Sequence, residues 1–393
     1  MKRMISLFIV VVMLLGACAT SASAIFSDLR FNVDKDIRRT EIFNMRIIEL
    51  ENQVNKLLEL PETQKIDIHI SQISTIHDFS GNQYTLVECV PSGYMIYHDE
   101  SGVFVESSAI AMSPYGDVQG EKIYGGPNEY YIKSREAGKI IYEYTKTDDV
   151  VSVAEADAYS KASDRLNSML MENKNIEILN YINNNQPLNI AAPMSTEVGG
   201  IVCVKNYRFL VNLLRPGYTT VNGSGICGYI AATMLLAYEQ YSSSAGTFDT
   251  DDYWWDSSVG GYVIDSNFTM ELYNLGVSLG YGTSTTSVAI HYTVKKYLEN
   301  RNIAASHTSL YSPIATNMTI ASKIKDDRPV IWFGVVSKNS ADDRTNLSHA
   351  VLAYGYEYSF LGGYAFVAHF GWDDSSVVTY SGLLGSLYTF TLD

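Results

Sequence analysis

Apolar side chains between Asp36 and Leu60 recur at three-to-four-residue steps, with Ile42, Met45, Ile48, Leu50, Val54, Leu57 and Leu58 marking one broad side. That period predicts an amphipathic helix, which Pro61 ends. The pattern then shortens to strand-like runs at Ile66 to Ile73, Tyr84 to Cys89, Tyr94 to His98 and Val103 to Ser107. Pro91-Ser92-Gly93 and Asp99-Glu100-Ser101-Gly102 separate the last three with turn-forming residues, which predicts an antiparallel meander. A helical period returns over Ser152 to Glu172. Residues 186–200, with Pro187 and Pro193, read as a linker. At 393 residues the chain has room for two cores, so an N-terminal α+β domain is expected over 25–185 and a second domain over 201–393.

The second domain opens differently. Gly225-Ile226-Cys227-Gly228 runs into a segment where Cys227, Ile230, Ala231, Met234, Leu235 and Tyr238 repeat at helical steps. This predicts a helix with one buried face that begins at the cysteine, with Ser224 and glycines upstream as cap and turn. Ser266 to Gly280 and Thr286 to Glu299 also read as helices, and Pro329 to Val336 as a buried strand. Ser348 to Tyr356 and Tyr364 to Trp372 form the arms of a predicted hairpin joined through Leu361-Gly362-Gly363. With the turn centred near 360 to 361, His349 falls opposite residues 371 to 373, and His369 lies diagonal to it on the same face. Asp249 to Asp256, carrying Trp254 and Trp255, reads equally as a cleft wall or a packed surface loop. The expected fold class is α+β throughout: helices plus an antiparallel meander first, then a helical part followed by an antiparallel β part. The 29 tyrosines, many in strand-like runs, favour β-rich domains over helical ones.

A cysteine at a helix start meets unpaired backbone N–H groups and the positive end of the helix dipole, which favour thiolate over thiol. Most free cysteines are simply small buried hydrophobes, but that role does not require glycines on both sides. A cysteine nucleophile needs a base within hydrogen-bond reach and a third group to orient the base, partners that are commonly distant in sequence. His349 and His369, at the open end of one hairpin, have the right chemistry for those roles.

These residues carry a family resemblance. The portion from about 200 to 393 resembles the papain-fold cysteine peptidases, and among them the secreted bacterial streptopain-type peptidases made with an N-terminal propeptide. Ile226-Cys227-Gly228 followed by Ala231-Ala232-Thr233 matches the nucleophile segment, and His349-Ala350-Val351 matches the histidine strand. His369-Phe370-Gly371-Trp372 matches the family's Asn-Trp-Gly-Trp segment. The resemblance implies that Cys227 attacks a peptide carbonyl while His349 takes up and returns the proton. It gives the orienting role to position 369, where this chain has His369 in place of asparagine; Asp373 and Asp374 are the alternatives. An amide side chain just before the nucleophile completes the family's oxyanion hole. Asn222 is the candidate, one residue short of the family offset, with the Cys227 backbone N–H as its partner. A turn asparagine bonding its own backbone is the other reading. Residues 25–185 resemble the propeptide, which implies a zymogen opened by a cut in the linker. The alternative is a domain that stays attached and binds a surface partner.

Met1-Lys2-Arg3, the apolar run Ile5 to Leu15 and the small residues that follow form an expected export signal over 1–24, too short for a stable membrane span. Leu15-Gly16-Ala17-Cys18 resembles a lipobox in which Cys18 bears the lipid, whereas Ala22-Ser23-Ala24 resembles an ordinary signal-peptidase site. Either cut places the protein outside the cytoplasm, secreted or lipid-anchored, with no membrane contact beyond that signal or anchor. A net charge of −15, with no Lys/Arg run after the signal, excludes nucleic acid as partner. Cys89 and Cys203 are too few for a disulfide framework and leave room for one bridge at most. His69, His77 and His98 lack ligand spacing, so neither a metal nor another cofactor is expected. The expected function is that of an exported cysteine endopeptidase acting on protein or peptide. Transglutaminase-like acyl transfer needs the same dyad, and a catalytically silent surface binding module or adhesin fits the same fold.

Overall fold

The computed structural model describes residues 34–392 except 117, 127–128, 137–138, 146–149, 152, 173, 189–200, 215–225, 244–251, 282–285, 316, 334–349, 359–363, 372–377 and 382–384. The expected export signal, with Cys18, lies outside the described residues. Among those described, no helix is long and apolar enough to cross a membrane.

The first element is a helix over 34–57, α1. Ile42, Phe43, Ile47, Leu50, Val54 and Leu57 are buried along it, while Ile48 is 55% exposed. The inward stripe therefore runs through Phe43 and Ile47 and is rotated from the one expected through Ile48. Four strands follow: β1 (His69–His77), β2 (Gln83–Val90), β3 (Tyr94–His98) and β4 (Val103–Ser108). They pair in succession, all antiparallel, as the turn residues between the last three predict, while β1 runs from His69 to His77 and not from Ile66 to Ile73. The periodicity does not announce the next four, β5 (Glu121–Gly126), β6 (Glu129–Glu136), β7 (Lys139–Tyr144) and β8 (Val150–Val151). These join the meander where β1 meets β5 in parallel at His77 and Ile123. The predicted second helix is α2 (Val153–Glu172), and α3 (Ile176–Asn184) follows. Asn175 caps α3 by accepting the Ile178 N–H, and Asn185 closes it in the left-handed conformation at φ 53°.

The C-terminal part runs β9 (Val202–Cys203), α4 (Tyr207–Val211), α5 (Cys227–Ser242), then a ribbon of β10 (Tyr253–Asp256) and β11 (Gly261–Ile264). After it come α6 (Ser266–Ser278), α7 (Ser287–Asn300), β12 (Ala305–Ala315), α8 (Asn317–Lys325) and β13 (Val330–Phe333). The chain ends with β14 (Ala350–Tyr358), β15 (Tyr364–His369), β16 (Val378–Ser381) and β17 (Gly385–Leu392). Asp265 and Thr286 cap α6 and α7 with their side chains, which is why both helices begin where the pattern places them. The Trp254-Trp255 run is a strand of a ribbon and not a loop, with the two indoles 45% and 53% exposed.

The chain is α+β, and apart from the β1–β5 bridge the pairings of its main sheet are antiparallel. One 15-stranded sheet takes the order β12-β17-β13-β14-β15-β16-β4-β3-β2-β1-β5-β6-β7-β8, with β9 on β14. Where two separate domains are expected, β16 and β4 join edge to edge, Thr379 opposite Ser107 and Tyr380 opposite Glu106. Residues 189–200 of the expected linker lie outside the described residues.

Buried charge sits beside that joint. Arg46 on α1, 2% exposed, donates to Glu49 at 2.7 Å and to Ser107 Oγ at 3.2 Å, and lies 3.8 Å from Glu357 on β14. Burial pushes the Glu357 carboxyl up to about 7, against the pull of Arg46. Replacing Arg46 leaves Glu49 and Glu357 without the guanidinium between them. Arg46→Ala is therefore expected to lower unfolding free energy by ~3 kcal/mol or more, read as a drop in the urea midpoint.

Candidate active site

Cys227 is the first residue of α5, half-buried at the edge of the core. The cap position belongs to Ile226 (φ −104°, ψ 26°), which makes no side-chain cap bond; Ser224, the expected cap, lies outside the described residues. The first N–H groups of a helix have no intrahelical acceptor, and no acidic residue in this first turn offsets the positive end of the dipole.

Every residue from Gly228 to Gln240 is buried, so α5 is enclosed on all sides and does not carry the single buried face that its sequence period suggests. It packs on β13, β14 and β17 and on α4, α6 and α7. Its one buried hydroxyl threonine is satisfied internally: Thr233 Oγ1 donates to the Tyr229 carbonyl at 2.8 Å and lies 3.2 Å from Thr269 Oγ1. A helix held from every direction gives its first residue a fixed position.

His349 and Asn222 lie outside the described residues, as do Trp372, Asp373 and Asp374. The hairpin is described from Ala350 onward. Leu352 stands opposite His369 and Tyr358 opposite Tyr364, a register centred at 360 to 361 as the sequence expects, with a bulge between Ala353 and Gly355. His369 therefore shares a face with Leu352 and not with Val351, the residue in step with position 349, against the expectation of one shared face.

His369 ends β15 and is fully buried. Its Nδ1 accepts the Gly371 N–H at 2.8 Å, and its Nε2 lies 2.8 Å from the Leu213 carbonyl oxygen. An amide N–H only donates and a carbonyl only accepts, so the proton sits on Nε2. Burial holds the imidazole pKa down to about 4, and the ring is neutral near pH 7. Orienting His349 would require a ring nitrogen turned toward it, and both are taken by backbone. The ring acts as a tether between the end of β15 and residues 212–214, on the path into α5.

Gly371 completes the arrangement. It has φ 88°, and a Cβ there would lie 2.8 Å from Ile230 Cγ2. Its backbone thus rests against the first turn of α5, three residues beyond Cys227, where only glycine meets both the dihedral and the close approach. The same 212–214 segment binds the aromatic ribbon: Leu214 N–H donates to the Tyr262 carbonyl and Tyr262 N–H to the Asn212 carbonyl, each at 2.8 Å. The Tyr262 ring lies 5.0 Å from Trp255 and 4.8 Å from Phe209.

Sequence reasoning misses the Leu213 carbonyl and the Gly371 to Ile230 contact, because neither carries a local signal. It also passes over His291 and His307, whose rings lie 5.4 Å apart, bonded to Ser309 and Tyr388 respectively. His98 is buried against Ser101, while the His69 side chain is 71% exposed. Cys89 and Cys203 are unbridged thiols, each pushed up to about 12 by burial. Among the described residues, no three His, Cys, Asp or Glu converge to hold a metal ion.

No family model matches the chain, and no curated protein matches it. Among solved structures, it is similar to a mutant fragment of prointerpain A from Prevotella intermedia, at 10% identity, covering 81% of this chain and 98% of that one with a TM-score of 0.38. A likeness at that level carries no argument about fold or activity.

Gly371→Ala is expected to destabilise the protein by ~1–3 kcal/mol and to slow thiol labelling of Cys227, measured by urea unfolding and by inhibitor kinetics. His369 makes stability pH-dependent. Its folded pKa of about 4 lies below the unfolded value of about 6.5, so the unfolded state binds more protons between them. Its contribution is complete above pH 6.5 and is lost as pH falls toward 4, on the order of 3 kcal/mol. Urea midpoints at pH 7 and pH 4.5 should fall further for the parent protein than for His369→Gln.

Proposed function

We propose that the protein is an exported cysteine endopeptidase made as a zymogen, with Cys227 as its nucleophile. The observation that carries this reading is the position of Cys227: first residue of a helix enclosed on all sides, with the end of β15 held against its first turn at Gly371. The sequence places His349 one residue before β14, the strand paired with β15.

In this reading His349 takes the Cys227 proton and the thiolate attacks the carbonyl carbon of a peptide. The C–S bond forms as the carbonyl electron pair moves to oxygen, where the Cys227 N–H and the Asn222 amide stabilise it. Collapse breaks the C–N bond, and His349 protonates the departing amine. Water, deprotonated by His349, then attacks the thioester, releasing a carboxylic acid and restoring the thiol. His369 serves as a positioning residue through its backbone tether, and Asp373 or Asp374 is the group left to orient His349. Residues 25–185 are the pro part, and the activating cut falls within 186–200. Residues 1–24 direct export, with Cys18 as the lipid-bearing residue where the lipobox is used.

The test compares the chain from residue 25 with its Cys227→Ala variant, with and without an epoxide inhibitor of thiol proteases. Only the intact chain should shorten within 186–200, the inhibitor adduct should map to Cys227, and casein hydrolysis should fall by at least ~10³-fold in the variant. The reading is lost if both forms stay full-length, unlabelled and inactive on casein even after limited proteolysis of the linker. Capture of the acyl group by an added amine in preference to water would instead identify an acyl transferase.

A further inference from the structure

The surface between the two parts of the chain is not built like one that separates. β4 would be an edge strand of the N-terminal meander if β16 were absent; with β16 paired on it, Val105, Glu106, Ser107 and Ser108 are at most 2% exposed. Strands that stand at a solvent edge are commonly guarded by Lys, Pro, bulges or inward-pointing charges. β4 reads Val-Phe-Val-Glu-Ser-Ser, with no Lys or Pro but with a register shift at Val105 in its pairing with β3. Its one charge, Glu106, points into the core, where Tyr94, Tyr124 and Tyr130 donate their hydroxyls to it.

The apolar core does not divide at this surface either. Buried residues from Ile42 on α1 to Phe390 on β17 form one connected cluster, and Ile123 with Tyr131 forms a small satellite. Polar contacts cross as well: buried Arg46 faces Glu357, and Arg208 on α4 pairs with Glu59 just beyond α1. Continuous sheet, an undivided core and the buried Arg46–Glu357 contact are the marks of a permanent interface, whereas contacts between separable domains are smaller and more polar; the Arg208–Glu59 pair lies on the surface and adds little.

We propose that residues 34–184 remain bound as a lasting non-covalent subunit after the chain is cut between 186 and 200, and that residues 201–393 do not keep their fold without them. Hydrolysis adds one water across one peptide bond and breaks none of the contacts named above. The proposed function enters only through the expectation that such a cut occurs, and the test supplies its own.

A recognition site for an added sequence-specific protease is placed between residues 189 and 200 of the exported chain carrying Cys227→Ala, so that no intrinsic activity takes part. After complete cutting, gel filtration and native mass spectrometry should find one species containing both fragments, with a single unfolding transition. Arg46→Ala should raise the dissociation constant of the cut pair at least ~10-fold. Elution as two fragments, a C-terminal fragment that keeps its near-ultraviolet circular dichroism alone, or precipitation of either piece on cutting would each overturn the proposal. The same cut made with Cys227 intact separates the two ideas. A complex that holds together but neither labels nor cleaves casein defeats the peptidase and leaves the subunit standing; pieces that part while the C-terminal one cleaves casein do the reverse.

Discussion

The geometry around Cys227 depends on one constraint, the enclosure of α5 on every side from Gly228 to Gln240. A fully enclosed helix has no solvent face along which to slide or roll, so its first residue is fixed by the packing of all its neighbours. Sheet strands and helices meet it from different directions, and the start of α5 comes to lie where the end of β15 also arrives. A surface helix with one apolar face would place its first residue with less certainty.

Around that fixed point the site is tied by backbone contacts. The neutral imidazole of His369 offers one donor and one acceptor, the same pair of functions that an asparagine amide offers, and here it uses both on main-chain groups. Full burial makes this arrangement possible, since the charged ring would be costly there. Gly371 extends the same logic to sterics. The absent side chain at 371 lets the backbone approach Ile230.

Charge is handled similarly at the joint between the two parts. The chain carries a net charge of −15, and at the joint Arg46 bonds Glu49 and lies near Glu357 while tyrosine hydroxyls donate to Glu106; burial still outweighs Arg46 at Glu357 and raises its pKa to about 7. Removing one partner from such a group costs more than the group contributes when complete.

The local pattern determines much about this protein: α1, the meander β1 to β4, α2, the capped starts of α6 and α7, the buried strand β13 and the register of the β14–β15 hairpin are legible within a few residues of each element. So is the start of α5 at Cys227, because a helical period, glycines and a cysteine stand together in sequence. Tertiary structure alone decides which faces are buried and which edges meet. A continuous period shows that α5 is helical but cannot show that neighbours cover its other faces. The β16–β4 pairing and the bond from His369 to Leu213, 156 residues apart, join groups whose local sequences hold no record of each other. Periodicity reports the geometry of a single element, while docking follows from the shapes and unpaired backbone groups of elements brought together by the whole chain.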